Sequence, residues 1–507
     1  MRTRSILRPA LAALLFGVLP FAHAQLPEPV RQALQQNGIA AGEIGVLVLR
    51  GEQVLASHQP ALPMQPASTM KLVTTLVGLE RLGPAFRGRT ELRSSGEVRD
   101  GVLRGDVVLK GGADADLSGA AIADMLRALR HAGIERIEGD LVLDRALFRP
   151  ARLDVGLPPF DEAPEAYYNV IPDALLVNKN MLQVDMRSNA ARLQLRMHPE
   201  LDRVAIASEM TLVDADCARW EDGWQLPQAR RQADGRITVV LRGTFPKNCT
   251  RSYGINVLER DDYVGRLVRR TWQDLGGQWN GGTVDGATPP EARLLAAHAA
   301  RALPELVRDI NKMSDNALAR TLFLSLGSLQ ADPVDGSLPL PAPQHGETTF
   351  ARADAAVRAW LRAQRIDDDG FVIDNGSGLS RIERITAQQM ATVLQAGLRS
   401  QWAPEFQASL PIGAVDGTLR RRLQGSPAAG RARLKTGALR NVTALAGYVP
   451  DANGIPCVFV AMVNSEQAGN GRGRAVLDAL VDWVARSGAD DALAQPQPSE
   501  APRSLQP

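Results

Sequence analysis

Two lysines at opposite ends of this chain constrain its fold more than any other feature. Lys occurs only six times (71, 110, 179, 247, 312 and 435) among 58 basic residues, so a motif that demands Lys is seldom met by accident. Yet Ser68-Thr69-Met70-Lys71 reads S-x-x-K, Ser314-Asp315-Asn316 reads S-x-N, and Lys435-Thr436-Gly437 reads K-T-G. Each pattern occurs once, and in that order. At this composition K-T-G is expected by chance about 0.02 times, S-x-x-K roughly 0.3 times and S-x-N roughly 0.7 times, so the weight lies in the combination. If the three cooperate, the fold must carry an early helix start, a mid-chain turn and a late strand to one point.

The local patterns allow that meeting. Residues 42–57 alternate apolar and polar about a Gly51-Glu52 turn, which predicts a hairpin. Helical spacing then runs over 69–80, with Ser68 at its start. From about 88 the texture changes. Strand-like runs at 89–110 and 139–144 flank a helical segment at 120–132, and 150–258 reads as short strands and turns. Helical patterns return at 263–275, 291–310, 316–326, 350–365 and 386–400. The chain closes with strands at 431–439, 443–449 and 456–464 and a helix at 473–485. Strands at both ends with helices between predict an α/β (α+β) domain split by an insertion: 25–87 and 261–487 form the domain, and 88–260 the strand-rich insert.

Of 507 residues 45% are hydrophobic and 22% charged, which fits a folded chain of two or three units. The net charge of +2 argues against a nucleic-acid partner held by bulk charge. Residues 1–24 read as a cleaved signal peptide: Arg2, Arg4 and Arg8, an apolar run at 11–21, then Ala22-His23-Ala24. The apolar run is about half the ~20 residues a bilayer span needs, and no later segment reads as an anchor. Removing the three Arg takes the charge from +2 to −1. The Pro- and Ala-rich tail at 488–507 is expected to be disordered. Export permits disulfides, and Cys217 and Cys249, inside one polar region, are expected to pair. Cys457 lies in an apolar strand-like run and is expected to be a buried thiol.

The motifs suit nucleophilic catalysis. Positions three apart on a helix share a face, so the Lys71 amine can reach the Ser68 hydroxyl. A serine hydroxyl is a weak nucleophile without an adjacent base, and Lys becomes a base only when burial or a second cation lowers its pKa. Lys435 and Lys312 are candidates for that cation. Ser314 can relay a proton towards a leaving group; Asn316 can orient Lys71 and bond a substrate amide. Lys435 and Thr436 can bind a carboxylate, Gly437 allows close approach, and the N–H groups of Ser68 and Ala438 are the candidate oxyanion pair. The Gly-rich 374–380 segment is expected to border the cleft, with Ser377 bonding backbone. No two histidines stand at metal-ligand spacing, and neither a G-x-S-x-G elbow nor a P-loop occurs. No metal or organic cofactor is expected.

These motifs resemble those of penicillin-binding proteins and class A β-lactamases. The length, the insertion directly after S-x-x-K, and the absence of an E-x-x-L-N context for Glu347, Glu383 or Glu405 separate the chain from the β-lactamases. Tyr168-Asn169 through Asn178-Lys179-Asn180, DNGSGLSR at 374–381, VDGTLRRR at 415–422 and LKTGALRNVTALAGYV at 434–449 resemble the D-alanyl-D-alanine carboxypeptidase/endopeptidases of the penicillin-binding protein 4 type (peptidase family S13). The resemblance implies a β-lactamase-like transpeptidase domain, an antiparallel sheet with flanking helices, split by two nested subdomains. It implies Ser68 as the acylated nucleophile, Lys71 as its base, Ser314 and Asn316 in proton transfer, and Lys435 in substrate binding. Peptidoglycan stem peptides would be the substrates, β-lactam antibiotics the inhibitors, and the periplasm the location. A β-lactamase-like hydrolase and a non-catalytic peptidoglycan-binding scaffold stay open as alternatives, and oligomeric state cannot be read from the sequence.

Overall fold

A computed structural model describes residues 26–488, apart from Leu157 and residues 343–345. The expected signal at 1–24 lies outside the described residues, as does the expected disordered tail beyond residue 488.

Five antiparallel strands form the central sheet, in the order Gln53–His58, Ile44–Arg50, Pro456–Asn464, Val442–Pro450, Arg433–Leu439. The early hairpin is thus paired with the late strands, Val46 opposite Ala461. Alternation sorts the side chains onto two faces. Ala444, Ala446, Tyr448, Val458, Val460 and Met462 pack with helices Lys71–Leu82, Leu303–Lys312, Asn316–Leu326, Thr349–Ala363 and Ala387–Arg399. Leu445, Val449, Phe459, Ala461 and Val463 pack on helices Glu28–Asn37 and Arg472–Arg486. With both faces covered, Val442–Pro450 is buried at every position but its last, which explains its near-continuous apolar sequence. Helix Lys71–Leu82 is surrounded as well, so it lacks a polar stripe.

The inserted strands form further sheets. Thr283–Asp285, Leu141–Asp144, Val107–Gly112, Arg89–Ser94 and Arg293–Ala299 make a mixed five-stranded sheet, and Gln278–Trp279, Arg136–Glu138, Val102–Arg104 and Glu97–Arg99 a smaller one. A three-stranded sheet (Leu193–His198, Leu182–Ser188, Thr250–Ile255) and a four-stranded one centred on Ile237–Pro246 complete the region. Cys217 and Cys249 are joined by a disulfide beside the Trp220, Trp224 and Tyr253 rings. Cys457 is a buried free thiol.

Two expectations need correction. The helical pattern at 291–310 is in fact strand Arg293–Ala299 followed by helix Leu303–Lys312. The strand pairs antiparallel with Arg89–Ser94, and Pro304 in the first turn sets the helix start. The same pairing moves the end of the insertion. Helix Arg260–Asp274 buries Tyr263, Leu267 and Trp272 among the inserted strands' side chains, past the sequence boundary near 260, whereas Ala113, Phe148 and Ala174 pack with the helices of the central sheet. No helix among the described residues is long and apolar enough to cross a membrane.

Candidate active site

The chain turns sharply before the first motif. Pro66 precedes a 3-10 turn, Ala67–Met70, and Ala67 has a positive φ of 44°. The α-helix starts at Lys71, so Ser68 sits half-buried at the helix entrance with Lys71 one turn on. Lys71 is fully buried. Its Nζ lies 3.0 Å from Ser68 Oγ, 2.6 Å from Asn316 Oδ1 and 2.5 Å from the Ser377 carbonyl. Two of these partners, the Asn316 Oδ1 and the carbonyl, can only accept. A neutral amine has two N–H bonds and one lone pair. If the N–H bonds serve the two obligate acceptors, the lone pair is left facing Ser68. Burial pushes Lys71 down to about 7, opposed by the Glu383 and Asp315 carboxylates and aided by the Arg320 cation.

The other two motifs meet beside it. Lys435, also fully buried, donates to Ser314 Oγ at 2.9 Å and to the Thr436 carbonyl at 2.8 Å. Burial, and then the charge of Lys71, hold Lys435 well below its ordinary pKa. Ser314 itself has a positive φ of 62°. Thr436 Oγ1 donates to Thr418 Oγ1 at 2.8 Å. Gly437 passes so close to the serine turn that a Cβ there would lie 2.7 Å from the Pro66 carbonyl and 3.1 Å from the Ser68 nitrogen. Strand Arg433–Leu439 is an edge strand: its Leu434 N–H donates outward to the Pro411 carbonyl at 3.0 Å, and no sixth strand among the described residues covers the K-T-G stretch that follows. Ser68, Ser314, Asn316 and Ala438 line one cavity of about 350 Å³, with Phe160, Asp161, Tyr168, Leu379 and Arg381.

Ser68, Lys71, Ser314, Asn316, Lys435, Thr436, Gly437 and Ala438 therefore lie together, as their motifs require. Lys312 does not join them as a second cation. It is buried, not solvated, and donates to the Leu410 carbonyl at 3.0 Å and to Asp416 at 2.6 Å. Asn316 Oδ1 is taken by Lys71, while its Nδ2 gives one N–H to the Tyr168 carbonyl at 3.0 Å and keeps the second for a substrate amide. The Ser377 hydroxyl bonds within its own loop, as read from the sequence, but its carbonyl is what reaches Lys71.

The insertion supplies one wall of the cleft. Asp315 caps helix Asn316–Leu326 through the Leu318 N–H and pairs with Lys179 at 2.8 Å and with the Tyr167 hydroxyl. Lys179 stands in a run of three positive-φ residues, Asn178 to Asn180, that aims it there. Asp161, Tyr167, Arg320, Arg381 and Glu383 carry no spacing signal of their own; only the 168–180 and 374–381 resemblances pointed near them. Among the described residues no group of three or more His, Cys, Asp or Glu is placed to hold a metal ion.

A buried lysine against a half-buried serine, on an antiparallel sheet with helices on both faces, fits an active-serine hydrolase of the penicillin-binding, β-lactamase-like fold. The model of the D-Ala-D-Ala carboxypeptidase 3 (S13) family matches residues 26–487, and the chain belongs to that family of serine peptidases. It is 26% identical over 424 residues to the D-alanyl-D-alanine carboxypeptidase DacB of Haemophilus influenzae, covering 82% of this chain and 84% of that protein. It is 26% identical over 443 residues to a D-alanyl-D-alanine carboxypeptidase of Actinomadura sp., covering 85% and 79%. The crystal structure of penicillin binding protein 4 from H. influenzae shares the fold, with a TM-score of 0.73 at 24% identity over 90% of this chain and 99% of that one.

Proposed function

We propose that this chain cleaves D-Ala-D-Ala termini, or D-Ala–diaminopimelate crosslinks, of peptidoglycan stem peptides through an acyl-enzyme on Ser68. One observation carries the reading: Lys71 Nζ is held by two obligate acceptors with its remaining direction on Ser68 Oγ. Lys71 takes the hydroxyl proton as Oγ adds to the substrate carbonyl. The N–H groups of Ser68 and Ala438 hold the developing oxyanion. Ser314, bonded to Lys435, relays the proton held by Lys71 to the departing amine as the C–N bond breaks, which leaves Ser314 a hydroxyl and Lys71 a neutral amine again. Water then adds to the ester, its proton going to Lys71 and on to Ser68 Oγ as the acyl C–O bond breaks and the shortened peptide leaves. A substrate carboxylate beside Lys435 and Thr436 would oppose the burial that lowers the Lys435 pKa and so favour its charged form.

β-Lactams would acylate the same serine. The Arg-led apolar run and Ala22-His23-Ala24 support export, and hence a periplasmic site of action. The packing of 89–299 supports an inserted region that walls the cleft and a discontinuous peptidase domain formed by what precedes and follows it. Intact mass after incubation with penicillin, followed by peptide mapping, tests the assignment. The expected result is one adduct on the Ser68 peptide, absent in Ser68→Ala. That variant should also lose peptide cleavage by about a thousandfold or more. Cleavage by Ser68→Ala at the wild-type rate would falsify the nucleophile; penicillin consumed without an adduct would instead identify a β-lactamase.

A further inference from the structure

One of the two acceptors that orient Lys71 sits on a helix; the other, the Ser377 carbonyl, sits on the 374–380 loop, which is itself neither strand nor helix. The loop is held from beneath by Glu383. This side chain is fully buried, and its Oε1 accepts the N–H groups of Asp374, Asn375 and Gly376 at 3.2, 3.0 and 3.1 Å. Burial raises the Glu383 pKa, and three consecutive amides on one oxygen, an anion nest, pull the other way and favour the ionised carboxyl. The same loop is tied to the base helix at two points one turn apart: Thr74 Oγ1 donates to the Gly376 carbonyl at 2.7 Å, and Lys71 to that of Ser377.

We propose that Glu383 is a positioning residue for Lys71, its buried carboxylate gathering the 374–376 amides so that the Ser377 carbonyl and a negative charge both face the amine. The inference rests on the reading of Lys71 as the base of Ser68. Charged groups reach this cluster from every side. Asp315 and Glu383 stabilise a charged Lys71, while Arg320 and Lys435 oppose it; Glu383 in turn meets Arg320 and Asp374. Glu383 is thus the group whose neutralisation changes the field at Lys71 without touching the motif residues.

The test is the pH profile of second-order acylation by penicillin, read by mass on Ser68, for wild type, Glu383→Gln and Glu383→Leu. Gln keeps the shape and an acceptor oxygen but loses the charge. Its acidic limb should move to lower pH by about one unit, with the high-pH plateau within about threefold of wild type. Leu removes the acceptor as well, and its plateau should fall about tenfold or more in protein whose melting curve still shows a folded chain. A Glu383→Gln profile that superimposes on wild type would overturn the proposal, as would a folded Glu383→Leu that acylates normally. If the wild type itself forms no Ser68 adduct, the base reading fails first, and the two failures stay distinct.

Discussion

At the scale of the residue, the site works through what surrounds Lys71. The sequence motifs named Ser68, Lys71, Ser314, Asn316 and Lys435 because those residue types at that spacing suit nucleophilic catalysis. They did not name the Ser377 and Tyr168 carbonyls, since a backbone oxygen leaves no mark in residue identity. They also misjudged Lys312, whose partner Asp416 arrives from a distant loop. The lowered Lys71 pKa has a kinetic sign. Acylation needs the neutral amine, so kcat/KM should climb about tenfold per pH unit below about 7 and flatten above it. It has a thermodynamic sign as well. The folded chain gives up this proton near pH 7, the unfolded chain only near 10, so Lys71 makes stability rise with pH across that interval. A profile of kcat/KM flat from pH 5 to 8 would remove Lys71 from the role of base.

At the scale of the element, strong periodicity was legible and tertiary choice was not. The 44–58 hairpin was readable from its alternation about a turn, and the helix after Ser68 and the late strands from long apolar runs, which are buried nearly all round. The 293–299 segment was misread because its Leu and Ala residues suit a helix locally, and only the waiting edge of Arg89–Ser94 makes it a strand. The 374–380 loop shows what glycine does here. Gly378 has a φ of +78°, and a Cβ on it would lie 1.8 Å from the Ala67 carbonyl, beside the nucleophile. Gly378→Ala should therefore cost about 1–3 kcal/mol of stability and slow Ser68 acylation. Thermal unfolding and penicillin labelling of the variant check both; an unchanged labelling rate would show that the loop can yield.

At the scale of the whole molecule, the change of texture after residue 88 was legible, but which core each later element covers was not. Helix Arg260–Asp274 has the amphipathic pattern of any surface helix and does not reveal which core it covers. The insertion carries the chain's one bridge among the described residues, Cys217–Cys249. Thiol titration of unfolded, unreduced protein should find one free thiol, that of Cys457; three would mean no bridge. Reduction should lower stability by roughly 2–4 kcal/mol, felt in the inserted region more than in the catalytic sheet.

The placing of strand Ile44–Arg50 reaches beyond stability. One of its neighbours follows at once in sequence, and the other comes about four hundred residues later. Pairings of such separation close slowly, because a long loop must be ordered before any contact rewards it. Until they close, the apolar surface of the early hairpin and the Ser68 helix has no cover and invites aggregation. K-T-G arrives with those same late strands, so no partial product of synthesis holds a complete catalytic centre. Chain order thus acts as a timer, and hydrolysis begins only once the far end of the polypeptide has been delivered.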